Sequence, residues 1–386
     1  MYLDALRDAP TPFDSYVSRA SRPDLIDIDT AHKTVSQAVF RSLQRTMRDR
    51  LPRFVPIIGS AGAGKTHFYW YLRDRQKIEQ DWECVYIPSP PAPIRIPLHI
   101  YTCIMDEVGR NLLQEVSENL AQQFTKRGGF FRRKQYMAEI VAREYPGLAS
   151  DVVRVLVLLV IDKQRRALAE RWLLAETLSE EELKELGVHR IIEEDDTVLI
   201  TLKTLFKNYS KTVLLYFDEL EIPYRTRGPE AESRFLEYLK RIYNELSGVL
   251  IVSACLTEMW DRVLETADSA TKSRMEPPTY LEPFSLTDLE QFYLKSMQLY
   301  WETAHNIPPP PFNPYFPLNN EIFKQIIQKT QGNPRESIKY LRIYIDNFLA
   351  VYEKMDDKTT GGTTLALETA VLNMQSSLEQ AAATVE

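Results

Sequence analysis

The chain has 386 residues, of which 44% are hydrophobic and 26% are charged. These values are ordinary for a soluble globular protein. The formal net charge is -7 and the pI is about 5.5, which excludes a polycation, so any contact with nucleic acid would need a local basic patch.

The sequence indicates a cytoplasmic protein without a membrane segment. Three scattered cysteines show neither metal-ligand spacing nor a disulfide framework, which favours a reducing interior. The first residues carry acids and lack the apolar core of a signal peptide. The longest apolar run, Val152–Ile161, is far shorter than the roughly 20 residues of a membrane span. It is predicted to be a buried helix.

The first half of the chain reads as helix, strand and then a long helical stretch. Apolar residues recur at helical spacing after Asp27, at Val35, Val39, Leu43 and Met47. We predict an N-terminal helical segment over 1–50, followed by the short buried strand "RFVPIIG", a turn and a helix. Cys84–Ile87 fits a second strand that prolines end.

A mainly helical pattern then predicts an insertion over about 104–205. Two apolar strands follow, Lys211–Glu221, which ends in acids, and Ser247–Glu258. Beyond them Ser285 is a plausible N-cap of a helix, and the proline-rich run Pro308–Pro317 is a stiff spacer. Two further helices are interrupted by "GNP", and a small polar tail follows.

Strands alternating with helices, followed by a helical segment, predict an α/β fold. We expect a three-layer P-loop parallel sheet core with a helical insertion and a C-terminal α-helical lid. The predicted boundaries are an N-terminal segment over 1–50, a nucleotide-binding core over 51–282, the lid over 283–356 and a low-complexity tail over 357–386.

The stretch "GSAGAGKT" fits the phosphate-loop pattern G-x-x-x-x-G-K-[ST], between a predicted strand and a predicted helix. Glycines let backbone N–H groups turn toward phosphate oxygens, and the helix adds its positive dipole end. Lys65 would contact the β- and γ-phosphates, and the Thr66 hydroxyl would bind Mg²⁺. A glycine-rich turn with a chance lysine is the alternative, which the strand–loop–helix context disfavours. The predicted nucleotide contacts are Gly59, Ser60, Ala61, Gly62, Ala63, Gly64, Lys65, Thr66 and His67.

Hydrolysis also needs acids at a second strand end, and "VLLYFDE" supplies them. Asp218 would hold the Mg²⁺ shell, and Glu219 would polarise the attacking water. The alternative, a pair of acids that simply begins a helix, is credible by itself but less so beside a phosphate loop.

These motifs together resemble the AAA+ ATPases: a Walker A loop, an acidic Walker B strand, a strand with a polar residue, and a lid carrying "GNPR". The lid motif is similar to Orc/Cdc6 initiators and STAND-like ATPases. The resemblance implies that Arg335 is sensor 2, that Ser253 (or Thr257) is sensor 1, and that Arg274 is an arginine finger acting on a neighbour's ATP. The alternatives are that Arg335 only caps a helix, that Arg274 is a surface arginine, and that Ser253 bonds its own strand end.

A weaker resemblance links Arg171–Glu221 to ATPases associated with BREX-type phage defence, although Ala175 stands where those proteins often have glycine. The chain departs from Orc/Cdc6 initiators after Met355, since no winged helix is recognisable in the Thr/Ala-rich tail.

Two smaller features bear on partners. The basic stretch Lys126–Lys134 could contact nucleic acid through phosphate and base stacking, although a solvated turn between helices is slightly favoured. Its basic residues are Lys126, Arg127, Arg132, Arg133 and Lys134. The five histidines are scattered, and no triad or metal cluster is predicted among them: His32, His67, His99, His189 and His305.

The sequence therefore predicts an ATP- and Mg²⁺-dependent AAA+ ATPase. By resemblance it would form homo-oligomers through its ATP interfaces and act on a nucleic-acid-associated partner in genome maintenance, a mobile element or defence. A STAND-type switch with slow turnover is the alternative. A scaffold that keeps ATP only as a structural ligand is disfavoured by the intact Glu219.

Overall fold

The computed structural model describes residues 2–15, 17–19, 26–28, 30–90, 95–127, 143–145 and 147–356. The strands are β1 (Arg53–Gly59), β2 (Trp82–Pro88), β3 (Thr212–Asp218), β4 (Val249–Leu256) and β5 (Thr279–Tyr280). The helices before β3 are α1 (Tyr2–Asp8), α2 (Lys33–Asp49), α3 (Lys65–Ile78), α4 (Ile96–Arg127), α5 (Leu148–Ile161), α6 (Arg166–Leu173), α7 (Glu180–Leu186) and α8 (Asp195–Asn208). Those after β3 are α9 (Ile222–Arg227), α10 (Pro229–Glu245), α11 (Thr257–Thr266), α12 (Ser269–Lys272), α13 (Leu286–Ala304), α14 (Asn320–Thr330) and α15 (Pro334–Asp356).

The chain forms two compact units. The sheet unit comprises Thr34–Ile58 and Leu72–Tyr280. The loop–helix unit comprises the described residues within Met1–Lys33, Gly59–Tyr71 and Leu281–Glu386. The N-terminal segment predicted over 1–50 is thus divided at Lys33, and its first part belongs with the C-terminal helices.

The sheet unit is built on five parallel strands in the order β2-β3-β4-β1-β5. Strand β4 separates β1, which leads into the phosphate loop, from β3, which ends in Asp218. All residues of β3 are buried, and so are all residues of β4 except Leu256. Continuous burial of this kind is the mark of a parallel sheet covered on both sides. The predicted three-layer α/β P-loop fold is confirmed.

The helical insertion lies between β2 and β3 and comprises α4 to α8. It begins at Ile96, somewhat before the predicted position. The apolar run Val152–Ile161 lies in α5 and contributes to the hydrophobic core of the sheet unit, as predicted. Leu and Val residues of these helices contribute to that core, since a helix in a bundle must bury its apolar stripe.

Arg50, just after α2, fixes the end of the insertion. Its guanidinium donates hydrogen bonds to four carbonyl oxygens at the junction of α8 and β3, at 2.8 to 3.1 Å. Gly248 has φ +67°, and a Cβ there would lie 2.3 Å from Arg50 Cζ. Glycine is therefore required by both backbone conformation and space.

The loop–helix unit has its own hydrophobic core, formed by helices from the two ends of the chain. The Ser285 hydroxyl caps α13 in a capping box with Asp288, which confirms the predicted N-cap. From the N-terminus, the Phe13 ring stacks on Tyr293 at 5.4 Å. Tyr300 donates its hydroxyl to Ala5 O at 2.6 Å. Helix α1 is therefore an integral part of this core.

Candidate nucleotide-binding site

The phosphate loop connects β1 to α3 within the loop–helix unit. Gly62 and Gly64 have φ +80° and +96°, a region that glycine enters without steric cost. Lys65 is buried, and its Nζ donates to Gly59 O at 2.8 Å and Ser60 O at 3.0 Å. The loop thus curls around its own lysine ammonium, and α3 starts at that lysine with its N-terminal end toward the loop. This arrangement offers a cation and helix-end N–H groups to an anion.

The first turn of α15 packs on the phosphate loop. Asn333 donates from Nδ2 to Ala61 O at 2.8 Å, and its Oδ1 accepts from Glu336 N at 3.2 Å, so it caps α15 as well. Arg335 donates its backbone N–H to Gly62 O at 3.3 Å. A Cβ at Gly62 would lie 2.7 Å from Arg335 Cβ. The sequence motif "GNPR" was assigned through Arg335, whereas the side chain that bonds the loop is that of Asn333.

Helix capping at this point therefore belongs to Asn333, and Arg335 is the second residue of the helix beside the loop. The capping contact is therefore made by Asn333 and not by Arg335. The sensor 2 role of Arg335 stays a prediction.

The acidic strand end lies in the sheet unit. Asp218 is buried, with Tyr86 Oη donating to Oδ2 at 3.0 Å and Glu219 N donating to Oδ1 at 3.0 Å. Both carboxylate oxygens of Asp218 therefore accept a hydrogen bond from the protein. Burial raises the pKa of Tyr216 well above its ordinary value, and the Asp218 charge adds to this. The neighbouring tyrosine therefore remains protonated beside the carboxylate.

Glu219 has φ +55° and an exposed side chain. A left-handed conformation costs a non-glycine residue roughly 1–2 kcal/mol. Two hydrogen bonds to the Glu219 carbonyl oxygen hold this backbone conformation, one from Ser89 Oγ at 2.6 Å and one from Ile222 N at 2.9 Å. Backbone strain of this kind concentrates at functional sites. The turn directs the carboxylate away from the buried strand and into solvent.

Ser253 lies in β4, paired in register with Phe217. Successive residues of a strand face opposite sides of a sheet, so Ser253 faces the side opposite to Asp218. Its Oγ is buried, and no group among the described residues hydrogen-bonds it. Thr257, the other candidate, is exposed at the start of α11. The assignment of sensor 1 stays a prediction.

Arg274 follows α12 in the sheet unit. Its Nε donates to Asn244 Oδ1 at 2.7 Å, its Nη1 donates to Ala270 O, and its guanidinium lies 5.8 Å from the centre of the Tyr243 ring. A trans-acting finger would need to leave these contacts. The finger role of Arg274 also stays a prediction.

The expectation that no triad forms among the histidines is wrong. His32 Nε2 lies 2.7 Å from Asp27 Oδ1, and His67 Nε2 lies 2.9 Å from the same oxygen. Sequence separation concealed this cluster, because Asp27 and His32 precede β1 whereas His67 is in the first turn of α3. A spacing search has no signal for residues that tertiary structure joins.

The basic stretch cannot be placed. The side chains of Lys126 and Arg127, and the whole of Arg132, Arg133 and Lys134, lie outside what the structure describes, as does the tail 357–386. A different basic surface is described on α2, where Arg41, Arg45 and Arg48 are all exposed. The only acid of that helix, Asp49, pairs with Arg53 at 2.7 Å. The apolar residues of α2 predict the helix, and the three arginines lie on its exposed face.

The fold and the phosphate loop together define an α/β protein of the P-loop class, and nucleotide binding stays a prediction. The loop fits a polyphosphate because the Lys65 ammonium is folded over it and α3 begins at that lysine. Asp218, buried and doubly hydrogen-bonded at the end of β3, fits a role in the shell of Mg²⁺. Among the described helices none is long and apolar enough to cross a membrane.

No protein-family model matches the chain, and no curated protein does either. Among solved structures it is similar to the Orc1 protein of Aeropyrum pernix, determined in complex with DNA, with 15% sequence identity and a TM-score of 0.39. The alignment covers 86% of this chain and 62% of that one, so this chain spans less than two thirds of that structure.

Proposed function

We propose that the protein binds and hydrolyses ATP with Mg²⁺ and that it is an assembling ATPase of the AAA+ type. The observation that carries this proposal is the phosphate loop, with Lys65 folded onto Gly59 O and Ser60 O. Strands β1 and β3 are parallel members of one sheet, so the strand before the loop and the strand before Glu219 end at the same edge. A phosphate loop and an acidic strand end are the two motifs that ATP hydrolysis requires.

Each residue has a defined task in this proposal. Backbone N–H groups of the loop orient the phosphates, and the Lys65 ammonium moves from the carbonyl oxygens to the β- and γ-phosphate oxygens. Thr66 and Asp218 are the residues that would hold Mg²⁺, which when bound neutralises charge on those phosphates. Glu219, exposed on its strained turn, orients a water and accepts its proton as that water attacks the γ-phosphorus. The bond from the γ-phosphorus to the bridging oxygen of the β-phosphate breaks, and ADP leaves.

The test is steady-state ATP turnover together with nucleotide affinity. Glu219→Gln should retain ATP binding and lose turnover by about 100-fold or more, because a positioned general base contributes that much. Lys65→Ala should lose binding. The matched control is Glu258→Gln, which removes an exposed glutamate in α11 and should leave turnover unchanged. Equal turnover in Glu219→Gln and wild type would refute the assignment.

Assembly and the alternative STAND-type switch are separated by a mixing experiment. Lys65→Ala lacks a working loop but keeps Arg274, whereas Arg274→Ala has the reverse defect. If Arg274 acts on a neighbour's ATP, mixing the two inactive variants restores turnover that rises with protein concentration. Inactive mixtures, with slow and concentration-independent turnover of the wild type, would favour the signalling switch.

We further propose that the partner is associated with nucleic acid, and the basic face of α2 supports direct contact. Arg41, Arg45 and Arg48 recur every three or four residues, so they project from one side of a helix. The whole chain carries a net charge of -7, which makes a surface of three exposed arginines a local exception. Its fixed spacing suits phosphates of a duplex backbone.

The measurement is the salt dependence of duplex DNA binding. Each lost phosphate contact lowers the slope of log K against log salt by about 0.9, so replacing all three arginines with glutamine should lower it by about 3. A charge-matched control replaces three exposed cations of the helical insertion: Lys163, Arg166 and Lys184. Equal slopes for the two triple variants would contradict the role of α2. DNA binding by the α2 variant equal to that of the wild type would contradict it as well.

A further inference from the structure

The cluster of Asp27, His32 and His67 has no task in ATP hydrolysis as proposed above. Its three ligating atoms, two imidazole Nε2 and one carboxylate oxygen, lie within 4.8 Å of one another. His32 is 6% exposed, His67 22% and Asp27 27%. The group is therefore mostly enclosed, and solvent reaches it at both His67 and Asp27.

The cluster is oriented by its surroundings and not by chance contact. The His32 ring packs against the rings of Phe68 and Tyr71, with centroid distances of 5.4 and 4.3 Å. Lys295 Nζ donates to Asp27 O at 3.0 Å, which fixes the backbone of the segment that carries the carboxylate. Side chains held in this way lose little freedom on binding an ion.

The charges of the surroundings also favour a cation. Asp27 brings one carboxylate to the two imidazoles. A second carboxylate lies close by, because the Thr30 hydroxyl donates to Asp288 Oδ1. A dication would balance these two carboxylates, whereas the Lys295 ammonium at Asp27 O is an opposing charge.

We propose that Asp27, His32 and His67 bind a divalent transition-metal ion of the Zn²⁺ class. Two imidazoles and a carboxylate are a donor set that zinc takes with an open fourth position, and imidazole selects against Mg²⁺ and Ca²⁺. Tetrahedral bonds of about 2.0 Å place ligand atoms about 3.3 Å apart. The separations of 2.7 and 2.9 Å need to open by roughly half an ångström as the ion replaces the protons between them.

Such an ion would join two segments that are distant in sequence. Asp27 and His32 belong to the N-terminal segment, and His67 directly follows the phosphate-loop residue Thr66. The bound metal would therefore hold the N-terminal segment against the first turn of α3. This site does not depend on ATP hydrolysis, so its test can fail or succeed separately from that of the proposed function.

The experiment uses the full chain, treated with a chelator and transferred to buffer free of nucleotide and Mg²⁺. Titration with Zn²⁺ should show one saturable equivalent and raise the melting temperature. Co²⁺ should give the visible absorption of a low-coordinate site, and Mg²⁺ should do neither. Asp27→Asn, His32→Gln and His67→Gln should each weaken Zn²⁺ binding by about tenfold or more.

His189→Gln is the matched control, because His189 Nδ1 lies 3.3 Å from Asp151 Oδ2 in an exposed pair. It should bind Zn²⁺ like the wild type. Absence of saturable binding, or binding that the three variants do not weaken, would overturn the proposal and leave the cluster as a hydrogen-bonded triad. If a variant does not fold, His67→Cys decides: it keeps a zinc ligand, so retained binding supports the site and lost binding overturns it.

Discussion

The contact between Asn333 and the phosphate loop can be tested against a matched asparagine in the same unit. Asn333 caps α15 and also donates to Ala61 O at 2.8 Å. Asn319 caps α14, accepting from Ile322 N at 3.1 Å. Both side chains are half-buried. Replacing each with alanine removes an N-cap, but only Asn333→Ala also removes a bond to the loop.

The expected energies follow from these bonds. Loss of an asparagine N-cap costs about 1 kcal/mol, so Asn319→Ala should be destabilised by about that amount. Asn333→Ala loses a further hydrogen bond, worth about 1 kcal/mol, for a total of about 2 kcal/mol. If that bond preorganises the loop, the same loss lowers ATP affinity by at most about fivefold, since 1.4 kcal/mol is a factor of ten.

Urea unfolding of both variants gives the stability terms, and titration with a fluorescent ATP analogue gives the affinities. Asn319→Ala should bind ATP like the wild type, and Asn333→Ala should bind it more weakly. Equal affinities in the two variants would show that the bond does not preorganise the loop. Equal losses of affinity would assign the effect to helix capping in general, and either result would refute the reasoning.

Three further predictions concern stability. Arg262→Met should cost about 3–5 kcal/mol in urea unfolding, because it leaves the fully buried Glu232 without the pair of hydrogen bonds at 2.5 and 2.7 Å. The double variant Arg262→Met, Glu232→Gln should recover part of that loss, because it also removes the buried charge. No recovery would contradict this explanation. Gly248→Ala should cost about 2 kcal/mol from its left-handed backbone alone, and a cost near zero would mean that Arg50 yields freely. Burial raises the pKa of Tyr300 to about 12, whereas the pKa of tyrosine in the unfolded chain is near 10. Between these two pH values the native state keeps a proton that the unfolded chain loses. The free energy of unfolding should therefore fall with rising pH by up to about 1.4 kcal/mol per pH unit. Tyr300→Phe should flatten that slope between about pH 10 and 12, and an unchanged slope would assign it to other tyrosines.

The fold was predictable because its signals are local. The run Val213–Phe217 is continuously apolar and ends in Asp218, which is what a buried parallel strand before a functional loop requires. Ser285 three residues before Asp288 specifies the start of α13 through short-range bonds alone. The phosphate-loop pattern carries its chemistry within eight residues. Each of these features is complete in a single stretch of sequence.

What the sequence did not reveal depends on tertiary contacts. Helix α1 has only seven residues, too few for a helix that is stable by itself, and it exists because Leu6 is buried among C-terminal helices. Arg50 gives no signal of the four carbonyls that it binds. The lid motif predicts a role for its arginine, Arg335, and does not indicate that the Asn333 side chain bonds the loop. The Asp27 cluster is assembled from both sides of β1.

The phosphate loop is contacted within its own unit from two independent directions, and this constrains how it can respond to a ligand. Asn333 and Arg335 bond its carbonyls at Ala61 and Gly62, whereas His67, one residue after Thr66, bonds Asp27 of the N-terminal segment. A phosphate that moves Lys65 off Gly59 O changes the surroundings of both sets of contacts. A ligand can shift a conformational equilibrium only through differential affinity, so coupling requires that ATP alter at least one of them. If Asn333→Ala changes ATP affinity while Asp27→Asn does not, ATP binding is coupled to α15. The reverse result would mean that ATP binding is coupled to the N-terminal segment.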